Sequence, residues 1–168
     1  MKQLWAPWRM EYIQSEIDKK TEGCIFCEFP KQMKDAENLI VHRSEKCFVI
    51  LNRYPYNNGH VMIVPFKHTG DFLLLEPEIA LDIHKTIQLT IKALNNSMNP
   101  HAFNIGMNIG RVAGAGIDAH LHYHIVPRWN GDTNFMPVID GTKVVSESLI
   151  ASYNKLKKEY AKLANLQD

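Results

Sequence analysis

A chain of 168 residues, 45% apolar and 22% charged, is sized for one domain with a real core and has the make-up of an ordinary globular protein. Its net charge of +1 argues against bulk binding to a nucleic-acid backbone, which normally needs a basic face, but leaves room for a small phosphorylated ligand. The longest apolar runs, such as VMIVPF at 61–66, fall far short of the roughly 20 residues of a membrane span, so no membrane partner is expected.

The N-terminal MKQLWAPWRMEYI has no apolar h-region of a signal peptide, and the cytoplasm is the expected location. Residues 1–23 read as an arm that packs on the body through Trp5, Trp8 and Tyr12. Next comes Cys24-x-x-Cys27, two of three cysteines. An odd count with this spacing suggests metal or redox chemistry in a reducing compartment, not a disulfide framework. The pair is half of a tetrahedral zinc site. A redox pair would want a thioredoxin-like βαβ context, which is absent, and two unliganded thiols are the plain alternative.

CFVILN (47–52) and HVMIVPF (60–66) are β-rich runs joined by RYPYNNG, whose Pro and Asn-Asn-Gly are turn chemistry. Cys47 reads as a small buried apolar residue. From Pro77 to Met98 the period changes: Ile79, Ile83, Ile87, Ile91, Leu94 and Met98 recur on one helix face. Pro77 suits the first turn, and Pro100 lies just past the end. AFNIGMNI (102–109) is a further strand, followed by the glycine-rich loop GRVAGAGIDA and a strand over 120–126. Leu149, Tyr153, Leu156, Tyr160 and Leu163 give a C-terminal helix within an extension over 146–168. The order β-β-α-β-loop-β-α predicts a single α+β domain over 1–168, with an antiparallel sheet of about five strands.

HLHYHIV at 120–126 sets His120, His122 and His124 on one face of a strand, with Leu121, Tyr123 and Ile125 on the other. Three imidazoles in alternation can converge on a catalytic metal. Alternatively one of them is a nucleophile, since imidazole attacks phosphorus and leaves again near neutral pH. The glycine loop feeds directly into them, and glycines let backbone N–H groups approach an anion closely.

HLHYHIV resembles the signature of the histidine triad family, His-φ-His-φ-His-φ-φ with φ apolar. LNRYPYNNGHVMIVPFKH resembles that family's ribose-binding hairpin, and NIGMNIGRVAGAGIDAHLHYHIVPRWNGDTNF resembles its phosphate loop and active-site strand. The likeness spans about residues 24–145. LWAPWRMEYI, AGAGI and VPRWNGDTNF are most similar to the bacterial diadenosine tetraphosphate phosphorylase (ATP adenylyltransferase) branch.

The resemblance implies nucleotidyl transfer through a covalent histidine. His122 would attack the α-phosphorus, while His124 and backbone N–H groups of Gly114, Ala115 and Gly116 would hold the nonbridging oxygens. Phosphate as the second nucleophile makes a phosphorylase; water makes a hydrolase of dinucleoside polyphosphates or adenylyl conjugates. A noncatalytic nucleotide-binding protein is the third reading. Asn52 matches the ribose contact, and Phe26, with Ile25, Phe48 and Ile50, is a candidate for the base pocket. Asn108 and Trp129 match substrate-contacting positions of the phosphorylase branch, whereas Gly116 stands where relatives often carry Gln or Ser. The same resemblance implies a structural zinc on Cys24, Cys27, His68 and His120, with His42 and His60 in reserve. His60 could equally face the active site, and His84 and His101 read as surface residues. It also implies a homodimer joined through the long helix and the strand after it into one continuous sheet.

Overall fold

The structure, a computed structural model, describes residues 23–132 and 147–166. The expected aromatic arm, with Trp5, Trp8 and Tyr12, lies outside the described residues, as does the end of VPRWNGDTNF. The elements are α1 (Ile25–Lys31), α2 (Asp35–Asn38), β1 (Ile40–Arg43), β2 (Cys47–Leu51), β3 (Val61–Pro65), α3 (Pro77–Met98), β4 (Ala102–Met107), β5 (Tyr123–Arg128) and α4 (Leu149–Ala164).

All strand pairings are antiparallel, in the order β1-β2-β3-β5-β4. The β-branched residues of β2 and β3 are buried on both faces of the sheet, each large side chain contributing about 1.5–3 kcal/mol. On one face Val49, Leu51, Val61, Ile63 and Ile125 meet Ile83 and Leu94 of α3 and Leu156 of α4. On the other, Phe48, Ile50, Met62 and Val64 meet Phe26 of α1. His124 pairs with Met62 across β3 and β5, which puts it on the α1 face.

The helix over 77–98 forms as its periodicity predicts, with Pro77 in its first turn and Asn99 in the left-handed region as C-cap. Its buried face is broader than the isoleucine stripe. Ile83 and Leu94 are buried together with Thr86, Thr90 and Ala93, whereas Ile79, Ile87, Ile91 and Met98 are half-buried. The threonines can go inside because their hydroxyls are satisfied. Thr90 donates to the Thr86 carbonyl at 2.6 Å and accepts from the Tyr160 hydroxyl of α4 at 2.6 Å. Ser148 caps α4 by accepting from the Ala151 N–H, a contact of the kind that contributes about 1 kcal/mol.

Three short elements escape hydrophobic periodicity: α1, α2 and β1. The seven residues of α1 include Pro30, and β1 has only four residues. The last strand also starts later than its alternation suggests. Continuing the β3–β5 register would place Leu121 opposite Pro65, and the Leu121 N–H turns instead to the Thr69 carbonyl at 2.8 Å. Thus His120 and His122 form an extended lead-in to β5. Among the described residues, no helix is long and apolar enough to cross a membrane.

Candidate functional site

The N-terminus of α1, the stretch after β3 and the lead-in to β5 bring four donors to one point. Cys24 Sγ lies 3.3 Å from His120 Nδ1, and Cys27 Sγ lies 3.3 Å from His68 Nδ1 and 3.6 Å from His120 Nδ1. The two Nδ1 atoms are 3.2 Å apart. All four ligating atoms fall within 4.8 Å of one another. A zinc with arms of about 2.0–2.3 Å requires tetrahedral edges of about 3.3–3.8 Å, so the donor set fits one metal ion. His120 is oriented for it, since its Nε2–H donates to the Pro65 carbonyl at 2.8 Å and leaves the Nδ1 lone pair facing the cysteines. Burial, and then the neighbouring Cys24, push the Cys27 thiol up. A cation at this point offsets both effects by stabilising the thiolates.

Next to this cluster stands His122, 5% exposed. Its Nδ1–H donates to the His120 carbonyl at 2.8 Å. A carbonyl only accepts, so the proton is fixed on Nδ1 and the lone pair on Nε2. Burial holds the imidazole below the usual histidine range, with the bond to His120 opposing, which keeps the nucleophilic neutral form at neutral pH. Phe26 packs its ring 5.5 Å from that of His120 and 5.2 Å from that of His122. The His124 ring lies 5.0 Å from His122 at a steep angle, and its Nδ1 is 3.0 Å from His60 Nε2.

The three triad imidazoles therefore have three separate partners. His120 faces the cysteines, His122 faces a backbone carbonyl and His124 faces His60, so they do not converge on a shared metal. Their common feature is placement on the α1 face in a row.

This arrangement agrees with sequence comparison, in which the profile of the HIT domain matches residues 33–131. The chain belongs to the HIT domain family. It is 36% identical over 168 aligned residues to an AP-4-A phosphorylase of Mycobacterium tuberculosis, covering 96% of this chain and 86% of that one. It is 28% identical to an adenylylsulfatase of Arabidopsis thaliana, over 84% of this chain and 66% of that protein. Among solved structures, a Zn-bound histidine triad family protein from Mycobacterium smegmatis superposes with a TM-score of 0.70 at 26% identity, covering 86% of this chain and 98% of that one.

In this HIT domain the glycine loop makes a tight turn over Arg111–Ala113, with Gly110 and Gly114 at positive φ. Two of the three expected cradle N–H groups close that turn: Gly114 donates to the Arg111 carbonyl and Ala115 to the Gly110 carbonyl. The Gly116 N–H has no acceptor among the described residues, so it is the group available to an anion. Asn108 is half-buried, and its amide donates to the Gly114 carbonyl at 3.3 Å, which braces the loop. Asn52 accepts from the Tyr54 N–H at 2.9 Å, and its NH2 group has no acceptor among the described residues.

Phe26, 2% exposed, is closed into the core. Ile25 is half-buried at its edge, and Phe48 and Ile50 are buried with it. Trp129 sits past the far end of β5, its indole N–H donating to the Asn99 carbonyl at 3.2 Å. Seven residues of extended chain, about 23 Å, separate it from His122, so the structure does not bring the two together. His42 is away from the cysteines, stacked on Tyr160 at 4.7 Å. His84 and His101 are exposed. Cys47 is buried as expected, its thiol donating to Asp82 and Thr86.

His60 belongs to the site proper. It is fully buried, and its parity with Met62 and Val64 in β3 is the sequence signal for it. Nothing in the local sequence marks Tyr56, stacked on His60 at 4.9 Å, or Asp132.

Proposed function

We propose that this HIT domain is a nucleotidyl transferase that cleaves diadenosine tetraphosphate with phosphate through a nucleotidyl-histidine. The observation that carries the reading is the fixed tautomer of His122, whose Nδ1–H is anchored on the His120 carbonyl so that the lone pair lies on Nε2, in a ring that neighbours those of Phe26 and His124. In the first step His122 Nε2 bonds to the α-phosphorus, and the bond from phosphorus to the bridging oxygen breaks, releasing ATP. His124 and the Gly116 N–H donate to the nonbridging oxygens as charge builds. In the second step a phosphate oxygen attacks the same phosphorus, the P–N bond breaks and ADP leaves. Asn52 is assigned to the ribose, Phe26 to the packed wall behind the base pocket, and Asn108 to the support of the loop. The likeness to the M. tuberculosis AP-4-A phosphorylase supports this choice.

Cys24, Cys27, His68 and His120 are assigned to a zinc ion, whose part when bound is to rigidify the chain beside the nucleophile. A homodimer through α3 and β4 is part of the same reading. It is supported by β4 being an edge strand with Ile105 45% exposed, an arrangement open to pairing with a second strand. The likeness to an adenylylsulfatase favours a second reading, hydrolysis of adenylyl conjugates, with water in the place of phosphate.

Incubation with diadenosine tetraphosphate, with and without phosphate, separates the readings. ADP plus ATP formed only with phosphate supports the phosphorylase. AMP plus ATP without phosphate means a hydrolase, and saturable binding without turnover means a binding protein.

A further inference from the structure

The sequence Pro-Arg-Trp-Asn-Gly-Asp at 127–132 closes β5 and takes no part in the chemistry above. Its last residue is a hub. The Asp132 side chain is 7% exposed, and its carboxylate accepts from Arg128 Nε at 2.6 Å, Arg128 Nη2 at 2.8 Å and the Trp129 N–H at 3.1 Å. A fourth donor comes from elsewhere in the chain: Asn57 Nδ2, in the loop between β2 and β3, donates to it at 2.8 Å.

Asn57 in turn organises that loop. It donates to the Pro127 carbonyl at 3.1 Å, its Oδ1 accepts from the Asn58 N–H at 3.1 Å, and its carbonyl accepts from the His60 N–H at 3.2 Å. One residue before it, the Tyr56 N–H donates to His60 Nδ1 at 3.0 Å. A backbone N–H can only donate, so His60 Nδ1 holds a lone pair and the ring proton sits on Nε2. That Nε2–H donates to His124 Nδ1 at 3.0 Å. His124 Nδ1 is thereby an acceptor, and its own proton lies on Nε2, the tautomer able to donate to a phosphoryl oxygen.

We propose that Asp132 is a positioning residue: by holding Asn57 it fixes the Tyr56 N–H that sets the His60 tautomer, and through His60 the donor nitrogen of His124. The inference rests on the reading that His124 donates to the substrate phosphate. It gives the Asp at the end of the motif a task at the opposite end of β5 from its own position.

The test uses Asp132→Ala and Asn57→Ala; the second breaks the same link without touching the Arg128 pair, should the first fail to fold. Ring ¹⁵N NMR of the full chain should show Nδ1 unprotonated and Nε2 protonated for both His60 and His124 in the wild type. Both variants should show mixed tautomers at His124. Turnover of diadenosine tetraphosphate should fall about 10- to 100-fold in kcat, as for a misplaced catalytic group, with KM little changed. The double variant should be no slower than either single one, because both remove one link. Thr90→Val, on the opposite face of the sheet, is the stability control and should keep the wild-type His124 spectrum. A wild-type His124 spectrum in both loop variants, or a kcat no lower than that of Thr90→Val, overturns the proposal. Full turnover by His124→Asn would instead sink the catalytic reading of His124, leaving the tautomer spectra to decide the relay independently.

Discussion

Gly70 is a site where one methyl group has a calculable cost. A Cβ there would lie 2.4 Å from the Asp118 carbonyl oxygen and 3.2 Å from Ala119 Cα. Both obstacles are backbone, so no rotamer change relieves them, and residues 69–71 must part from 118–121. Parting them stretches the Leu121 N–H bond to the Thr69 carbonyl, a net loss of about 1 kcal/mol, on top of about 1–3 kcal/mol for overpacking. Gly70→Ala should therefore lose about 2–4 kcal/mol, or about 5–15 °C in Tm for a chain of this size. Gly106→Ala is the comparator, since a Cβ there meets nothing within 4 Å and should change stability by less than about 0.5 kcal/mol. Urea unfolding at one protein concentration reads both. Because His68 and His120 flank the contact, metal content should fall in Gly70→Ala alone. Equal urea midpoints for the two variants would refute the steric reasoning.

Four further outcomes are expected. His122→Gly should abolish turnover by several orders of magnitude while keeping nucleotide binding, and α-labelled substrate should leave an acid-labile, base-stable label on the wild type; near-normal turnover of the variant would remove the covalent histidine. Protein purified without added metal should carry about one equivalent of zinc by mass spectrometry, lost in Cys24→Ser, and a stoichiometry near zero with stability unmoved by chelator contradicts the site. Burial pushes the Cys47 thiol up to about 12, above the value near 9 of an unfolded chain. The folded state then binds the thiol proton more tightly, so this share of stability is intact below about pH 9 and is lost as pH rises toward 12. That loss is on the order of 4 kcal/mol by pH 12; Cys47→Ala should flatten the alkaline limb of a stability–pH curve, and an unchanged limb argues against it. Light scattering at micromolar concentration should give twice the chain mass, and a monomer mass would overturn the dimer.

The architecture was legible where local pattern and environment agree. The isoleucine repeat marks the helix over 77–98 to its ends, and the alternation around His122 gives the correct face of the sheet. The short α1, α2 and β1 were not legible, because they owe their place to tertiary partners: Cys24 and Cys27 to distant histidines, and Arg43 of β1 to a salt bridge with Asp35 of α2. The metal donor set was half visible, as a Cys-x-x-Cys pair, and the histidines came from family likeness. Hydrogen-bond direction lies beyond any reading of residue types. That Asn108 braces the loop, and that the Gly116 N–H, unlike that of Gly114, has no acceptor among the described residues, depend on how the loop backbone turns, and the bond of His60 to His124 depends on a partner 64 residues away.

The four-donor cluster also links the folding of the chain to its surroundings. Cys24 and Cys27 are neighbours in any conformation, but His68 and His120 arrive from 41 and 93 residues beyond Cys27. An unfolded chain thus offers an ion only a bidentate foothold, and the complete site exists only once β3 and β5 are paired. Any metal these donors hold binds the native state in preference to the unfolded ensemble. Above the dissociation constant, each tenfold rise in free metal adds about 1.4 kcal/mol to the folding equilibrium. With an ion held there, the persistence of this domain would become a function of how much metal its compartment leaves unclaimed.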